Sequence, residues 1–159
     1  MTTRAHIKTP IGTALIKGNQ SGISSLSWIE ETEISTTQEI PEELKYSVTQ
    51  LQSYFKGDLK KFNLPLNPKG TDFQEQVWQA LSEIPYGKTI SYLQLAQNIG
   101  NSKTVRAVAA TNGKNPLPIL IPCHRVIGSD GSLTGYSGGL WRKKWLLKHE
   151  GALKQTSLF

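Results

Sequence analysis

The spacing of apolar residues changes once along this chain, around Pro65, Pro68 and Gly70, and that change limits the folds open to it. Before it, Ile7, Ile11, Ala14, Ile16, Ile23, Leu26 and Trp28 are broken by Thr9-Pro10, Gly12 and the run Gly18-Asn19-Gln20-Ser21-Gly22. Turn residues at that spacing punctuate β-hairpins. Residues 30–41 are polar and acidic and read as a loop. Leu44, Val48, Leu51 and Phe55 then recur at helical spacing, with Gly57 as a stop. Residues 58–70 read as a short extended segment followed by an interdomain linker.

After the change the chain reads as mostly helical. Thr71 with Gln74 forms a capping-box signal, and Phe73, Val77, Leu81 and Ile84 follow at helical spacing. Pro85-Tyr86-Gly87-Lys88 ends that helix. A second box, Ser91 with Gln94, opens a short helix to Gly100. A third helix, rich in small residues and carrying Arg106, is expected from 104 to 110. Two short helices joined by Gly100-Asn101-Ser102-Lys103 resemble a helix-turn-helix. A Gly/Ser-rich loop precedes a last helix, Leu140 to His149. On it, Trp141 and Trp145 are expected as core anchors, and Arg142, Lys143 and Lys144 on the wetter side. Glu150 follows, where the helix dipole disfavours an anion, so it is either exposed or paired with something specific. The fold class is α+β, with domains at 1–68 and 69–159.

Charge follows the same division. Residues 1–70 hold eight Lys/Arg and seven Asp/Glu, whereas residues 71–159 hold ten and five. A basic second half suits a polyanionic partner, most often nucleic acid. No apolar run approaches the roughly 20 residues of a membrane span. No apolar signal core opens the chain, so a cytoplasmic protein is expected. The single cysteine excludes an intrachain disulfide, a dithiol redox cycle and a cysteine-rich zinc site.

That cysteine, Cys123, lies in Pro118-Ile119-Leu120-Ile121-Pro122-Cys123-His124-Arg125-Val126. Three prolines, at 116, 118 and 122, stiffen its approach, and Ile119-Leu120-Ile121 is an apolar run expected to bury. The reactive form of cysteine is the thiolate, which neighbouring basic or cationic groups make available. His124 is adjacent in sequence, so its ring need not face the sulfur and is expected to reach it through one water. Glu150 is the acid that would orient the imidazole, in the logic of Cys-His-acid sites. His6 and His149 are given no role. Three readings follow from these residues: a group-accepting thiol, a cysteine hydrolase, and a helix-turn-helix binder with an inert cysteine.

Pro122-Cys123-His124-Arg125-Val126 and its flank Asn115-Pro116-Leu117-Pro118 resemble the active-site signature of the O6-alkylguanine-DNA alkyltransferases. The resemblance extends to Ile90-Ser91-Tyr92, Arg106-Ala107-Val108, Tyr136-Ser137-Gly138-Gly139-Leu140 and Trp145-Leu146-Leu147-Lys148-His149-Glu150-Gly151. It is dense over about residues 71–151. It implies a small antiparallel-sheet, ribonuclease H-like domain, then a winged helix-turn-helix-type domain carrying the active-site loop. Cys123 then matches the alkyl acceptor, His124 the base acting through water, and Glu150 the acid orienting it. Arg106 matches the arginine finger that fills the stack, and Tyr92 the tyrosine that assists flipping and donates to guanine. Ser137 supplies a backbone donor to the guanine oxygen, and Tyr136 and Pro118 line the alkyl pocket. The carbonyls of Cys123 and Val126 accept from the guanine amino group, and Asn115 braces the loop. Arg125 and Gly138 complete the expected substrate and DNA contacts. The implied partner is duplex DNA carrying O6-alkylguanine, entered from the minor groove without sequence preference. O4-alkylthymine is a further expected substrate. The implied state is a monomer without metal or cofactor, each molecule acting once. The family's N-terminal zinc site is absent, because residues 1–122 hold no cysteine.

Overall fold

The computed structural model describes residues 2–30 and 39–153. Most of the acidic loop expected at 30–41 lies outside them. The described residues of Met1–Lys69 and Pro116–Leu120 form one compact unit, and those of Gly70–Asn115 and Ile121–Phe159 form a second.

The first unit is an antiparallel meander. Strands β1 (Thr3–Thr9), β2 (Gly12–Asn19) and β3 (Gly22–Ile29) pair in that order. The turn residues read from the sequence close both hairpins. Thr9 pairs with Gly12 around Pro10-Ile11, and Asn19 with Gly22 around Gln20-Ser21. The register sets Ala5 opposite Ile16, Ile7 opposite Ala14 and Ile16 opposite Leu26, so one face of the sheet is apolar and buried. Each Ile or Leu buried there contributes about 1.5–3 kcal/mol. A bulge at Lys17/Gly18 brings the strands so close that a Cβ at Gly18 would lie 2.8 Å from the Gly22 carbonyl oxygen.

Helix α1 (Lys45–Lys56) contributes Val48, Leu51 and Tyr54 to this core after a single 3-10 turn at Glu42–Leu44. Gly57 ends it in the left-handed region at φ 86°. There Asp58 N–H donates to Ser53 O and Gly57 N–H to Tyr54 O, the Schellman pattern. The extended segment expected after 58 is present, since Leu66 bridges Ile23 in parallel. Leu26 N–H donates to Pro116 O at 2.8 Å, so the free edge of β3 is covered by residues from both segments of the unit.

The second unit is helical. Helix α2 (Asp72–Leu81) opens on the expected capping box. Gln74 N–H donates to Thr71 Oγ1 at 3.1 Å, and Thr71 N–H to Gln74 Oε1 at 2.9 Å. Trp78 on α2 is buried and donates its indole N–H to Thr111 O. A short strand β4 (Ile90–Ser91) leads into α3 (Tyr92–Asn98), whose N-terminus Ser91 caps by accepting from Gln94 N–H. A 3-10 turn at Ser102–Thr104, capped by Asn101, leads into α4 (Val105–Gly113). Helices α3 and α4 pack together as the expected helix-turn-helix. Strand β5 (Val126–Ile127) runs parallel to β4. Helix α5 (Leu140–His149) has the bounds expected from the sequence.

Helix α5 corrects two expectations. Lys143 is fully buried rather than on the wet side, and Trp141 is 56% exposed rather than a core anchor. The buried face runs Lys143, Leu146, Leu147, Glu150, which is i, i+3, i+4, i+7. Among the described residues no helix is long and apolar enough to cross a membrane.

Candidate active site

The nucleophile segment begins with a tight turn. Pro122 has φ −79° and ψ 64°, and Cys123 N–H donates to Ile121 O at 2.7 Å across it. That is an inverse γ-turn, a shape the proline ring favours by fixing φ. A 3-10 turn, Cys123–Arg125, follows. Consecutive side chains on so tight a helix diverge, so the imidazole next to Cys123 in sequence is free to face elsewhere.

Two asparagines brace this turn. Asn115 Nδ2 donates to Ile121 O at 2.7 Å, and its side chain also hydrogen-bonds the thiol. Asn112 Nδ2 donates to Cys123 O at 3.3 Å. Both are buried. Asn115 was expected from the sequence; Asn112 was not, although it sits three residues earlier at the end of α4.

His124 is completely buried. Its Nε2 lies 2.8 Å from Glu150 Oε2. The carboxylate there fixes the tautomer: Nε2–H donates, and in the neutral ring Nδ1 carries the lone pair. That Nδ1 is buried and has no hydrogen-bond partner among the described residues. Burial holds the imidazole below its ordinary pKa, against the pull of Glu150. It is therefore neutral and basic at neutral pH.

Glu150 is neither of the things an acid at a helix C-terminus usually is, exposed or singly paired. Arg125 grips it twice, Nε to Oε1 at 2.9 Å and Nη2 to Oε2 at 3.0 Å, while Nη1 donates to Ile84 O at 2.6 Å. Burial alone would raise its carboxyl pKa. The hydrogen bonds from His124 and Arg125 outweigh that and hold it well below the carboxylate range. Arg125 was expected among the substrate and DNA contacts, and the structure corrects its place. The side chain is buried, with its guanidinium turned inward onto Glu150 and Ile84. It supports the carboxylate that orients the imidazole.

Burial pushes the Cys123 thiol up to about 11, with Asn115 and the Lys143 charge pulling the other way. Among the described residues no carboxylate pairs with Lys143. Its Nζ donates to Val126 O and Thr134 O, both at 2.6 Å, and lies 5.8 Å from the centre of the Tyr92 ring. Burial pulls its ammonium down to about 8, and Cys123 acts in the opposite sense. The sequence signal for this residue was its spacing with Leu146, Leu147 and Glu150.

The other expected residues fall into place as follows. Tyr92 opens α3 and donates from Oη to Thr134 O at 3.0 Å. Gly135, at φ 69°, accommodates it, because a Cβ there would lie 3.0 Å from that hydroxyl. Tyr136 is buried, its hydroxyl has no partner among the described residues, and its pKa is raised by burial and by Cys123. Ser137 is exposed in the loop that Gly139 N–H closes onto Tyr136 O, and Gly138 O accepts from Arg142 Nη1 at 2.8 Å. Val126 is buried, and its carbonyl accepts from Lys143. Arg106 is exposed near the start of α4, beside exposed Ala107 and Ala110. Pro118 is buried in the segment Pro116–Leu120, which groups with the first unit. In that segment Ile119 takes φ 75°, a left-handed conformation a β-branched residue adopts only under strain. Among the described residues no group of three His, Cys, Asp or Glu is arranged to hold a metal.

A thiol, a neutral imidazole with a free lone pair, and buried hydroxyl and carbonyl groups therefore meet at one loop. Unpaired buried polar atoms are uncommon, and two of those among the described residues are His124 Nδ1, on the residue after the nucleophile, and Tyr136 Oη, whose titration Cys123 affects. That is the signature of a site built to receive a ligand.

Comparisons with known proteins agree over most of the chain. Residues 72–152 match the family model "6-O-methylguanine DNA methyltransferase, DNA binding domain", and residues 3–68 its "ribonuclease-like domain". A methylated-DNA–protein-cysteine methyltransferase of Methanosarcina barkeri is 47% identical over 148 residues, covering 91% of this chain and 94% of that one. The crystal structure of the Mycobacterium tuberculosis O6-methylguanine methyltransferase is similar at a TM-score of 0.85 and 42% identity, covering 99% and 98% of the two chains. A structure of Mycobacterium tuberculosis OGT in complex with DNA is similar at 0.83 and 43%, covering 96% and 95%. This chain belongs to the 6-O-methylguanine DNA methyltransferase family.

Proposed function

We propose that Cys123 accepts the alkyl group of O6-alkylguanine in duplex DNA and keeps it. The single observation that carries this is the buried relay Arg125–Glu150–His124, which leaves Nδ1 unpaired among the described residues, on the residue that follows a thiol too weakly acidic to ionise unaided. His124 takes the thiol proton through one bridging water, and the sulfur attacks the alkyl carbon in line with its bond to O6. The C–O bond breaks as the S–C bond forms. Tyr92 donates a proton to the leaving guanine and is reprotonated, through water, by the proton His124 took from the thiol, and the Ser137 N–H stabilises charge on the guanine oxygen. The net transfer is one alkyl group to sulfur and one proton from thiol to guanine. The thioether has no carbonyl for water to attack, so the protein is consumed.

The alkylated base is inaccessible within a duplex and is flipped out, at a cost of a few kcal/mol that a poorly paired lesion reduces. Arg106, exposed near the start of α4, fills the stack. The small exposed residues beside it permit close approach to the minor groove. The protein binds as a monomer, without sequence preference, through residues 69–159, with residues 1–68 as support. O4-alkylthymine presents the same alkyl–oxygen bond and is a second substrate. A lone thiol that must stay reduced suits the cytoplasm.

Intact-protein mass spectrometry tests this directly. Incubation with a duplex carrying one O6-methylguanine is expected to add one methylene mass on Cys123, saturating at one per molecule and absent in Cys123→Ala. Tight lesion binding without an adduct would sink the reading in favour of an inert binder. Repeated turnover of an ester or amide would favour a hydrolase.

A further inference from the structure

We propose that the solvent face of α5 is a second DNA surface, which holds single-stranded DNA by stacking bases on Trp141. Helix α5 has two opposite faces of equal spacing. One buries Lys143, Leu146, Leu147 and Glu150. The other presents Trp141, Lys144, Trp145 and Lys148, again at i, i+3, i+4 and i+7. Both lysines are exposed, and no residue of the helix is acidic.

Trp141 is held rather than loose. The Arg142 guanidinium lies 4.5 Å from the centre of its ring, and Arg142 is itself anchored to Gly138 O. A Cβ at Gly139 would meet Cδ1 and Nε1 of the indole at 3.2 and 3.3 Å, so the ring edge rests on that glycine. Trp145 stacks on His149 at 4.8 Å and 17°. A fixed indole that is 56% exposed, on a helix that carries cations and no carboxylate, has the composition of a nucleic-acid stacking platform. Lys144 and Lys148 supply charge for the phosphates. Stacking needs an unpaired base, so the occupant is a single strand, whereas the duplex belongs to α3 and α4. The inference rests on DNA as the partner and is independent of the chemistry at Cys123.

The test is fluorescence anisotropy with labelled oligothymidylates of about 8 and about 24 nucleotides, the first within and the second beyond the roughly 4–16-nucleotide site of a single-strand-binding fold. An undamaged duplex serves as comparison. Trp141→Ala is expected to weaken binding to both single strands about tenfold, and Trp141→Phe to recover most of it. Lys144→Ala/Lys148→Ala should reduce the slope of log affinity against log salt by about 1.4, two phosphates' worth. Duplex affinity and alkylation by free O6-benzylguanine should be unchanged in all three. Unaltered single-strand binding by Trp141→Ala overturns the proposal, as does an equal loss on the duplex. A loss on the longer strand alone means that the face meets a second copy of the chain, and overturns it too. If the unsubstituted protein fails to react with free O6-benzylguanine, the reading of Cys123 falls and this one stands on the binding data.

Discussion

Replacing His124 by Gln isolates what the base contributes. The Cys123 thiol is pushed up to about 11, four units above neutral pH. Only about one molecule in 10⁴ would then carry a thiolate at pH 7, and making it costs about 5.4 kcal/mol at 1.36 kcal/mol per unit. An ordinary cysteine, at about 8.5, pays only about 2 kcal/mol. His124 meets the difference by accepting the proton in the same step, and burial keeps its imidazole neutral and ready across the neutral range. Transfer by the unsubstituted protein should therefore be nearly flat from about pH 7 to pH 9. In His124→Gln the proton must leave for solvent. The rate at pH 7 should fall by about 10²–10⁴ and climb close to tenfold per pH unit over the same range. Single-turnover reaction with O6-methylguanine duplex, quenched and counted by intact mass, measures both profiles. A His124→Gln protein with a flat profile at the original rate would refute the reasoning, because its thiol would be ionising without help.

The Glu150 cluster predicts stability as well as rate. Glu150→Gln and Arg125→Met should each cost about 3–5 kcal/mol in urea unfolding, because each leaves a buried charge unpaired, and the double variant should cost clearly less than the sum. Since the Glu150 pKa is held down in the folded state, its stabilisation is present above the ordinary carboxylate value and lost as pH falls below about 4.5. Glu150→Gln should lack that part of the acid slope. Lys143 runs the other way: its folded value near 8 lies below the ordinary 10.5, so its protonated form burdens the fold, and stability should rise with pH between those values. Lys143→Met should lose that rise and slow transfer, seen by comparing urea midpoints and single-turnover rates. Gly135→Ala should displace the Tyr92 hydroxyl and slow transfer from duplex DNA while Cys123 remains titratable by a small thiol reagent.

Much of this molecule is legible in local sequence because local chemistry decides it. The Thr71–Gln74 box, the two hairpin turns and the Gly57 stop involve residues within a few positions of one another. Cys123 and His124 are legible for the same reason. Glu150 is half legible: its place at a helix end poses the question of a partner, but the answer lies 25 and 26 residues back. Lys143 and Trp141 mislead because lysines and arginine run consecutively at 142–144 and tryptophans flank them at 141 and 145, so residue type alone does not say which of them is inside. The carbonyls of Val126 and Thr134 decide it, by giving a buried ammonium two acceptors. Arg125 misleads likewise, since a basic residue beside an active cysteine in a DNA-binding half suggests a substrate or DNA contact until Ile84 O and Glu150 are seen to occupy it.

The distance along the chain between His124 and Glu150 also bears on synthesis. The acid that aligns the base is the residue after α5, so the reactive group is complete only when that helix has been made and has docked. A nascent chain that has just exposed Cys123 carries a thiol without a working base. A chain clipped anywhere before Glu150 is in the same state for good. The protein thus acquires its aligned base at the end of folding, and a copy without Glu150 keeps an ordinary thiol but not the relay that directs it.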